Sequence, residues 1–513
     1  MSDEPRAPAD APAAPGVEFD EGEGGREAEI LRARRESLDR LRTAGIEPFA
    51  LRFEPDAHAA DLHAEFDGRL EPGEAAGRDA TVAGRIVLAR RMGKLTFLVL
   101  RDATGDLQLF VEDASLDERS RALLSEVDLG DIVGAEGPVI RTRRGELSVQ
   151  VRTLTMLTKA LRPLPEKWHG LRDPELQQRR RYLHLATDLD ARRPALARAA
   201  LLRTLRSELD DRGFVEVETP VLQSVAGGAN ARPFTTHHRV LDVEMKLRIS
   251  LELYLKRLMI GGLERVYEIG RIFRNEGIDR DHNPEFTMLE LYQGYADYHD
   301  IMQLTQALLI ASARAVLGTT TVTFGGHEIP LEGEWPRITL LEAVSRAVGE
   351  QVTLDRDDLP ELAARLGVAV DPAWGSGKIV QELFDKLVEH TLIAPTFVVD
   401  FPREVSPLAR PHRDDPSLTE HFDLVIGGVE LATAFSELTD PDEQRAKFEA
   451  QLESRGAGDE EAHPLDEDFL RALEHGMPPQ GGIGIGIDRL LKFLLDTATL
   501  RDVILFPHHR PEA

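Results

Sequence analysis

The sequence predicts an α+β protein in two folded parts, a small all-β barrel followed by a larger domain that mixes long helices with apolar strands. Three observations predict it. The apolar spacing changes from helical to strand period at Ala80. Short β-type runs then follow one another, bounded by turn residues and interrupted by one helical patch. From Asp190 onward helices and strands mix without a regular βαβ alternation. At 513 residues and 42% hydrophobic, the chain is long enough for more than one domain with a sizeable core.

Residues 1–25 are rich in Ala, Pro, Asp, Glu and Gly and bury too little to fold, so a disordered tail is expected. Residues 26–75 form a helical segment: "EAEILRARRESLDRLRTAG" spaces Ile30, Leu31, Leu38 and Leu41 helically and stops at Gly45. Residues 76–160 are the barrel. "ATVAGRIVLARRMGKLTFLVLRDATGDLQLFVED" gives three strands, with turns near Met92–Gly93 and Thr104–Gly105. The helical "LDERSRALLSEV" follows, and then "DIVGAEGPVIRT" and "ELSVQVRTLTMLT" supply the remaining strands. Five strands with one inserted helix fit an OB-type barrel; a sandwich is the competing all-β arrangement. An OB barrel offers its strand face to single-stranded nucleic acid, stacking bases on aromatics. Phe97, with Arg90 or Arg91, fits such a role, and Phe97 fits the barrel core equally well. Residues 161–189, with "LRPLPEKWHGLRD", read as a linker, and residues 190–513 as the α+β domain.

Composition excludes several chemistries. With no cysteine there are no disulfides, thiolate metal sites or cysteine nucleophiles, which suits a reducing compartment. No apolar run is long enough to span a bilayer, and acid and proline stand at the N-terminus where a signal peptide needs a basic start. A cytoplasmic protein is expected. The formal net charge of −28 opposes nucleic acid as a partner. Between Leu161 and Arg206, however, eleven Lys or Arg stand against five Asp or Glu. That segment suits either phosphates or solvated helix faces. "GGIGIGIDR" is glycine-rich but has neither the GxGxxG spacing nor GK[ST], and there are no solenoid repeats.

Three separated stretches carry a resemblance. "RGFVEVETPVL", "RVYEIGRIFRNEGIDRDHNPEFTMLELY" and "GGIGIGIDRLLKFLLDTATLRDVILFP", in that order, resemble motifs 1, 2 and 3 of the class II aminoacyl-tRNA synthetases. "GGANARPFTTHH", "ELYLKRL", "SPLARPHR" and "AFSELTDP" are similar to the lysyl-tRNA synthetase family, as are "MGKLTFLVLRD" and "LTKALRPLPEKWHGLRD" in the barrel region. The resemblance runs from about Glu27 to the C-terminus. It implies a catalytic domain built on an antiparallel sheet flanked by helices, and an OB domain that binds the anticodon.

The reaction it implies joins a lysine carboxylate to the α-phosphorus of ATP, expelling pyrophosphate, and then passes the lysyl group to tRNA(Lys). One anion attacks another, so catalysis rests on positioning and on cations around the developing charge. By resemblance Arg274 bridges the carboxylate and the α-phosphate, where its planar fork suits both. Glu276 accepts from the adenine amino group, His282 lies near the phosphate tail, and Phe286 stacks on adenine. Arg489 covers the other adenine face and meets the γ-phosphate. Asp423 and Glu430 hold Mg²⁺, up to three ions in the family; the pair Gly427–Gly428 permits a hairpin that brings both to one site. Glu290, Tyr292 and Glu437 hold the side-chain ammonium, and Gly228 and Glu252 lie near the α-amino group. Glu290 and Tyr292, two apart, share a strand face. Phe97, Gln108 and Glu146 contact anticodon bases, and motif 1 implies a homodimer.

The chain departs from the family at several positions. Thr433 replaces an Asn that contacts the lysine carboxylate, Asp423 a Glu, Val429 an Arg and Leu251 a Pro. A shorter Asp423 alters metal geometry, and a threonine offers one donor where an amide offers two, so weaker lysine affinity is expected. "GVELATAFSELTDP" resembles the synthetase half of fusion proteins that make lysylphosphatidylglycerol, which points to lysyl-tRNA supplied for lipid lysylation through a separate partner. The motifs also occur in paralogues that attach a lysine-like amino acid to a protein and in non-catalytic tRNA-binding relatives. The retained barrel opposes the former, and Arg274 with Arg489 oppose the latter.

Overall fold

A computed structural model of the chain describes residues 25–165, 171–372, 374–456 and 465–510. The expected disordered tail lies outside the described residues, apart from Gly25. The chain divides into two compact units, Met1–Asp173 with Tyr182–Leu189, and Pro174–Arg181 with Asp190–Ala513.

The first unit begins with helices α1 (Gly25–Thr43) and α2 (Ala59–Phe66). Helix α1 buries Leu31, Leu38 and Leu41. It stops at Gly45, which has φ +70°, and the N–H of Ile46 caps the Leu41 carbonyl at 2.9 Å. Six strands follow: β1 (Ala75–Met92), β2 (Leu95–Arg101), β3 (Asp106–Glu112), β4 (Ile132–Arg141), β5 (Leu147–Gln150) and β6 (Thr153–Thr158). They pair in the order β1-β2-β3-β5-β4-β6. Strand β1 also pairs with β4, closing a five-strand ring, and β6 adds to β4. Closure removes the sheet edges that a sandwich would keep. A bulge between Ile86 and Leu88 bends the long β1 so that it reaches both neighbours. Helix α3 (Glu118–Leu124) lies between β3 and β4 in sequence, and Asp117 caps it by accepting from the Ser120 N–H at 2.7 Å. Alternation sorts the faces: Leu98, Leu100, Leu107 and Leu109 fill the barrel, while Phe97 and Gln108 stay half-buried outside it.

The segment expected as a linker contains two short helices, α4 (Pro174–Arg179) and α5 (Arg181–Thr187).

The second unit carries helices α6 (Arg193–Asp210), α7 (Glu252–Ile260), α8 (Tyr298–Leu317), α9 (Leu340–Val348), α10 (Leu359–Arg365), α11 (Ser376–Leu387), α12 (Pro441–Gly456), α13 (Glu467–Leu473) and α14 (Ile487–Leu495). Its strands are β7 (Val215–Glu216), β8 (Leu222–Gln223), β9 (Thr235–His238), β10 (Val243–Leu247), β11 (Arg265–Phe273), β12 (Glu285–Gly294), β13 (Thr321–Phe324), β14 (His327–Pro330), β15 (Arg337–Thr339), β16 (Thr396–Pro402), β17 (Leu418–Ile426), β18 (Val429–Ser436) and β19 (Gln480–Gly486). Eight of them form the main sheet, ordered β15-β16-β17-β18-β19-β12-β11-β7. It is antiparallel except at its two margins, where β15 runs parallel to β16 and β7 to β11. One core includes Leu201 and Leu205 of α6, Leu308 and Leu309 of α8, Leu490 and Leu491 of α14, and Ile483 and Ile485 of β19. Each such side chain contributes roughly 1.5–3 kcal/mol on burial. In β19 the residues alternating with those isoleucines are Gly482, Gly484 and Gly486. They take the opposite face, where the candidate site lies.

Candidate active site

Paired residues of neighbouring strands share a sheet face, and two cross-strand rows define the site. The first is Glu290–Gly484–Thr433–Asp423, on β12, β19, β18 and β17; the second is Tyr292–Gly482–Phe435–His421. Glycines in β19 leave the middle of each row without a side chain. A Cβ at Gly482 would overlap both Glu437 Oε1 and the Tyr292 ring. Over this floor lies a cavity of about 230 Å³, lined among others by Gly228, Glu252, Arg274, Glu290, Tyr292, Thr433 and Glu437. All seven residues that the resemblance assigns to the lysine substrate therefore face one space.

Its floor is acidic. Glu252, Glu290 and Glu437 are buried. Glu290 Oε1 accepts from Ser250 Oγ and from the Leu251 N–H, each at 3.0 Å, and Tyr292 OH lies 3.5 Å from Glu290 Oε2. The proline of the family pattern has no N–H, so the departure at Leu251 gives Glu290 a donor. Burial, reinforced by the charge of Glu252, pushes the Glu290 carboxyl up to about 7. Burial also pushes Glu437 up to about 8, opposed by the Lys256 ammonium. Glu437 Oε1 has no hydrogen-bond partner among the described residues. A buried carboxylate oxygen left so costs free energy unless a ligand donor meets it.

At the other end of the cavity is the loop between β11 and β12, strands paired without slip from Arg265↔Gln293 to Phe273↔Glu285. The Arg274 N–H closes the loop base on the Pro284 carbonyl at 2.9 Å. The Arg274 guanidinium lies 5.2 Å from the Phe286 ring centroid. Burial lowers its pKa, opposed first by Glu276 and then by Glu290. Glu276 is half-buried, while His282 is exposed and held within the loop by Asp279, Nδ1 to Oδ2 at 2.8 Å. Arg489, in the first turn of α14, reaches the Glu430 carbonyl at 3.2 Å and Glu430 Oε1 at 3.4 Å. Asp488 fixes α14 to β12: it accepts from the Thr287 N–H at 2.7 Å and from Arg198 at 2.5 Å.

Asp423 and Glu430 meet through the expected hairpin. Gly427 and Gly428 have φ +64° and +73°, the left-handed pair a tight turn requires. A bulge at Leu424/Val425 then changes the register beyond it. Burial and the Asp423 charge push Glu430 up to about 7. A buried carboxylate raised by a second carboxylate beside it is a donor set that a hard cation relieves, so the pair fits Mg²⁺. Among the described residues no three His, Asp or Glu side chains are arranged to hold an ion unaided, so further oxygens would come from phosphate and water.

In the first unit, Phe97 meets Phe110 edge-on at 5.4 Å, and Gln108 accepts from Ser148 Oγ at 2.9 Å. Glu146 is exposed, two residues before Ser148. With Phe97↔Phe110 and Gln108↔Ser148 paired, Phe97 and Gln108 share one strand face, and Glu146 lies in the turn just before β5.

Sequence reasoning missed several participants. Lys256 is fully buried and bridges Glu252 and Glu437. Its spacing four residues after Glu252 was an available signal. His421 Nε2 lies 3.0 Å from both Asp423 Oδ1 and Thr433 Oγ1, so two of the departures from the family pattern share one partner. Glu389 Oε1 accepts from the Glu430 N–H at 3.0 Å.

Comparison with known proteins agrees with this arrangement. The family described as tRNA synthetases class II (D, K and N) matches residues 173–510, and the OB-fold nucleic acid binding domain matches residues 80–157. A lysine–tRNA ligase of Moorella thermoacetica is 50% identical over 492 residues, covering 95% of this chain and 99% of that protein. Those of Oceanobacillus iheyensis and Pelotomaculum thermopropionicum are 47% and 49% identical, each over 94% of this chain and 98% and 95% of their own.

Proposed function

The chain belongs to the class II tRNA synthetases of the D, K and N group, and from that premise we propose that it activates L-lysine with ATP to lysyl-adenylate and transfers the lysyl group to tRNA(Lys), forming lysyl-tRNA, AMP and pyrophosphate. The observation that carries lysine as the substrate is the buried acidic end of the cavity, where Glu437 Oε1 awaits a donor beside Glu290 and Tyr292. Relatives at 47–50% identity over nearly the whole chain support the same reaction.

In the first step a carboxylate oxygen of lysine bonds to the α-phosphorus, and the bond to the pyrophosphate oxygen breaks. Arg274, at the junction of the cavity and the loop, offsets charge on both carboxylate and phosphate. Phe286 and Arg489 would hold adenine between them, with Glu276 on its amino group and His282 toward the phosphate tail. Mg²⁺ at Asp423 and Glu430 would neutralise phosphate charge. The terminal ribose hydroxyl of tRNA then displaces AMP from the lysyl carbonyl. Phe97, Gln108 and Glu146 would receive anticodon bases on the barrel face. A homodimer goes with this reading, supported by exposed Val215, Leu222, Val240, Leu241 and Val243 in and around motif 1. So does a cytoplasmic location.

Likeness to the lipid-lysylating fusion proteins is confined to residues 428–441, and supply of lysyl-tRNA to a lipid transferase is not favoured over the reaction above. Neither attachment of an amino acid to a protein nor a non-catalytic role is favoured.

Pyrophosphate exchange over a panel of amino acids tests the proposal. Lysine should support exchange, and charging of tRNA(Lys) should follow. Exchange driven better by ornithine or a neutral amino acid would overturn the pocket assignment.

A further inference from the structure

Lys256 needs an explanation beyond stability. Its side chain has no exposure, on the first turns of α7, and lies behind the cavity lining. Its Nζ is 2.5 Å from Glu252 Oε1, is ion-paired with Glu437 Oε2, and lies 5.9 Å from the Tyr292 ring centroid. Buried ion pairs are weak contributors to stability, because desolvation offsets the attraction, and apolar replacements often serve as well. Yet this ammonium joins Glu252 and Glu437, which the resemblance assigns to opposite ends of the substrate.

The charge balance is informative. Three carboxylates, Glu252, Glu290 and Glu437, and one resident ammonium leave two negative charges. Lysine brings two ammonium groups, and its carboxylate falls to Arg274. Lys256 opposes the burial that raises Glu437, so without it Glu437 would hold its proton to still higher pH, and a protonated carboxyl is a poor partner for an ammonium. Lys256 takes only one oxygen from each glutamate, leaving Glu437 Oε1 toward Gly482 and the cavity floor.

We propose that Lys256 is a positioning residue of the amino-acid pocket, whose ammonium ties Glu252 to Glu437 and holds both aimed so that a diamino acid is bound at both ends together. This rests on the proposed lysine reaction. The charged and titratable groups facing this cluster are Glu290 and Tyr292 from β12, Arg274 from the loop base, and Lys447 from α12. The carboxylates raise the Lys256 pKa against its burial, so it stays charged.

Lysine-dependent pyrophosphate exchange is measured across about pH 6 to 8.5 for the full chain, for Lys256→Met, and for Lys256→Gln, which keeps amide donors without the charge. Circular dichroism identifies the folded variants. For wild type, the KM for lysine falls as the carboxylates ionise. In the variants the KM for lysine should rise about tenfold near pH 7, its pH midpoint should move up by about one unit, and the difference from wild type should narrow toward the alkaline end. The KM for ATP should stay within about twofold. An unchanged midpoint with KM raised equally at every pH would leave Lys256 a packing residue and overturn the inference. Failure of wild type to exchange with lysine would instead overturn the proposed function.

Discussion

Glu290 and Thr433 lie in one row across the main sheet although their strands do not touch, because Gly484 pairs with both. The same holds for Tyr292 and Phe435 on either side of Gly482. A glycine within a strand usually weakens it or marks close approach of another group. Here Gly482 and Gly484 of β19 turn one sheet face into a cavity floor, while Ile483 and Ile485 hold the strand in the core.

Gly482→Ala tests that relationship. The added methyl overlaps Glu437 Oε1 and the Tyr292 ring, and overpacking of this kind costs roughly 1–3 kcal/mol. The KM for lysine should rise about tenfold or more, with little change in the KM for ATP. Exchange kinetics and a melting curve on the same variant check it.

Lysine binding should depend on pH in a predictable direction. Burial holds Glu290 up to about 7 and Glu437 up to about 8. Below that window both carboxyls carry protons and cannot pair with an ammonium, so the KM for lysine should fall as pH rises through it and then level. Glu437→Gln should remove the upper part of the dependence and raise the KM by about a hundredfold, the loss expected when a buried ammonium lacks its partner. Steady-state exchange across the range reads both.

Arg274→Lys keeps the charge and removes the fork. A planar guanidinium can meet a carboxylate and a phosphate at once, and an ammonium cannot. Adenylate formation should slow by about a hundredfold or more, the loss seen when one preorganised transition-state donor is removed. Single-turnover formation of lysyl-adenylate measures it.

The barrel face makes a separable prediction. If Phe97 stacks on a base, Phe97→Ala removes a contact of about 1–3 kcal/mol. Charging of tRNA should weaken by about tenfold or more in KM for tRNA, while lysine-dependent exchange should be unaffected. Paired exchange and charging assays on one preparation separate the two.

The sequence was most legible where geometry is local. Glu290 and Tyr292 share a strand face by spacing alone, and Gly427–Gly428 signals the hairpin that brings Asp423 and Glu430 together. The alternation of apolar residues placed Phe97 on the barrel strands but left its face open; Leu98 and Leu100 take the inside. Long-range pairing was not legible. "ELYLKRL" shows an i,i+4 pair, but nothing in it reveals Glu437 as the second partner of Lys256. The substitutions at Asp423 and Thr433 looked independent until the sheet paired them and set His421 against both. The helices at 174–187 were masked by the prolines and glycine just upstream.

The most direct measurement is a crystal structure with lysine and a non-hydrolysable ATP analogue bound. The predicted result has the ε-ammonium within hydrogen-bond distance of Glu437 and Tyr292, the carboxylate and α-phosphate both on Arg274, and adenine between Phe286 and Arg489. Lysine bound elsewhere, with Arg274 and Arg489 turned to solvent and Glu437 Oε1 still without a donor, would contradict it.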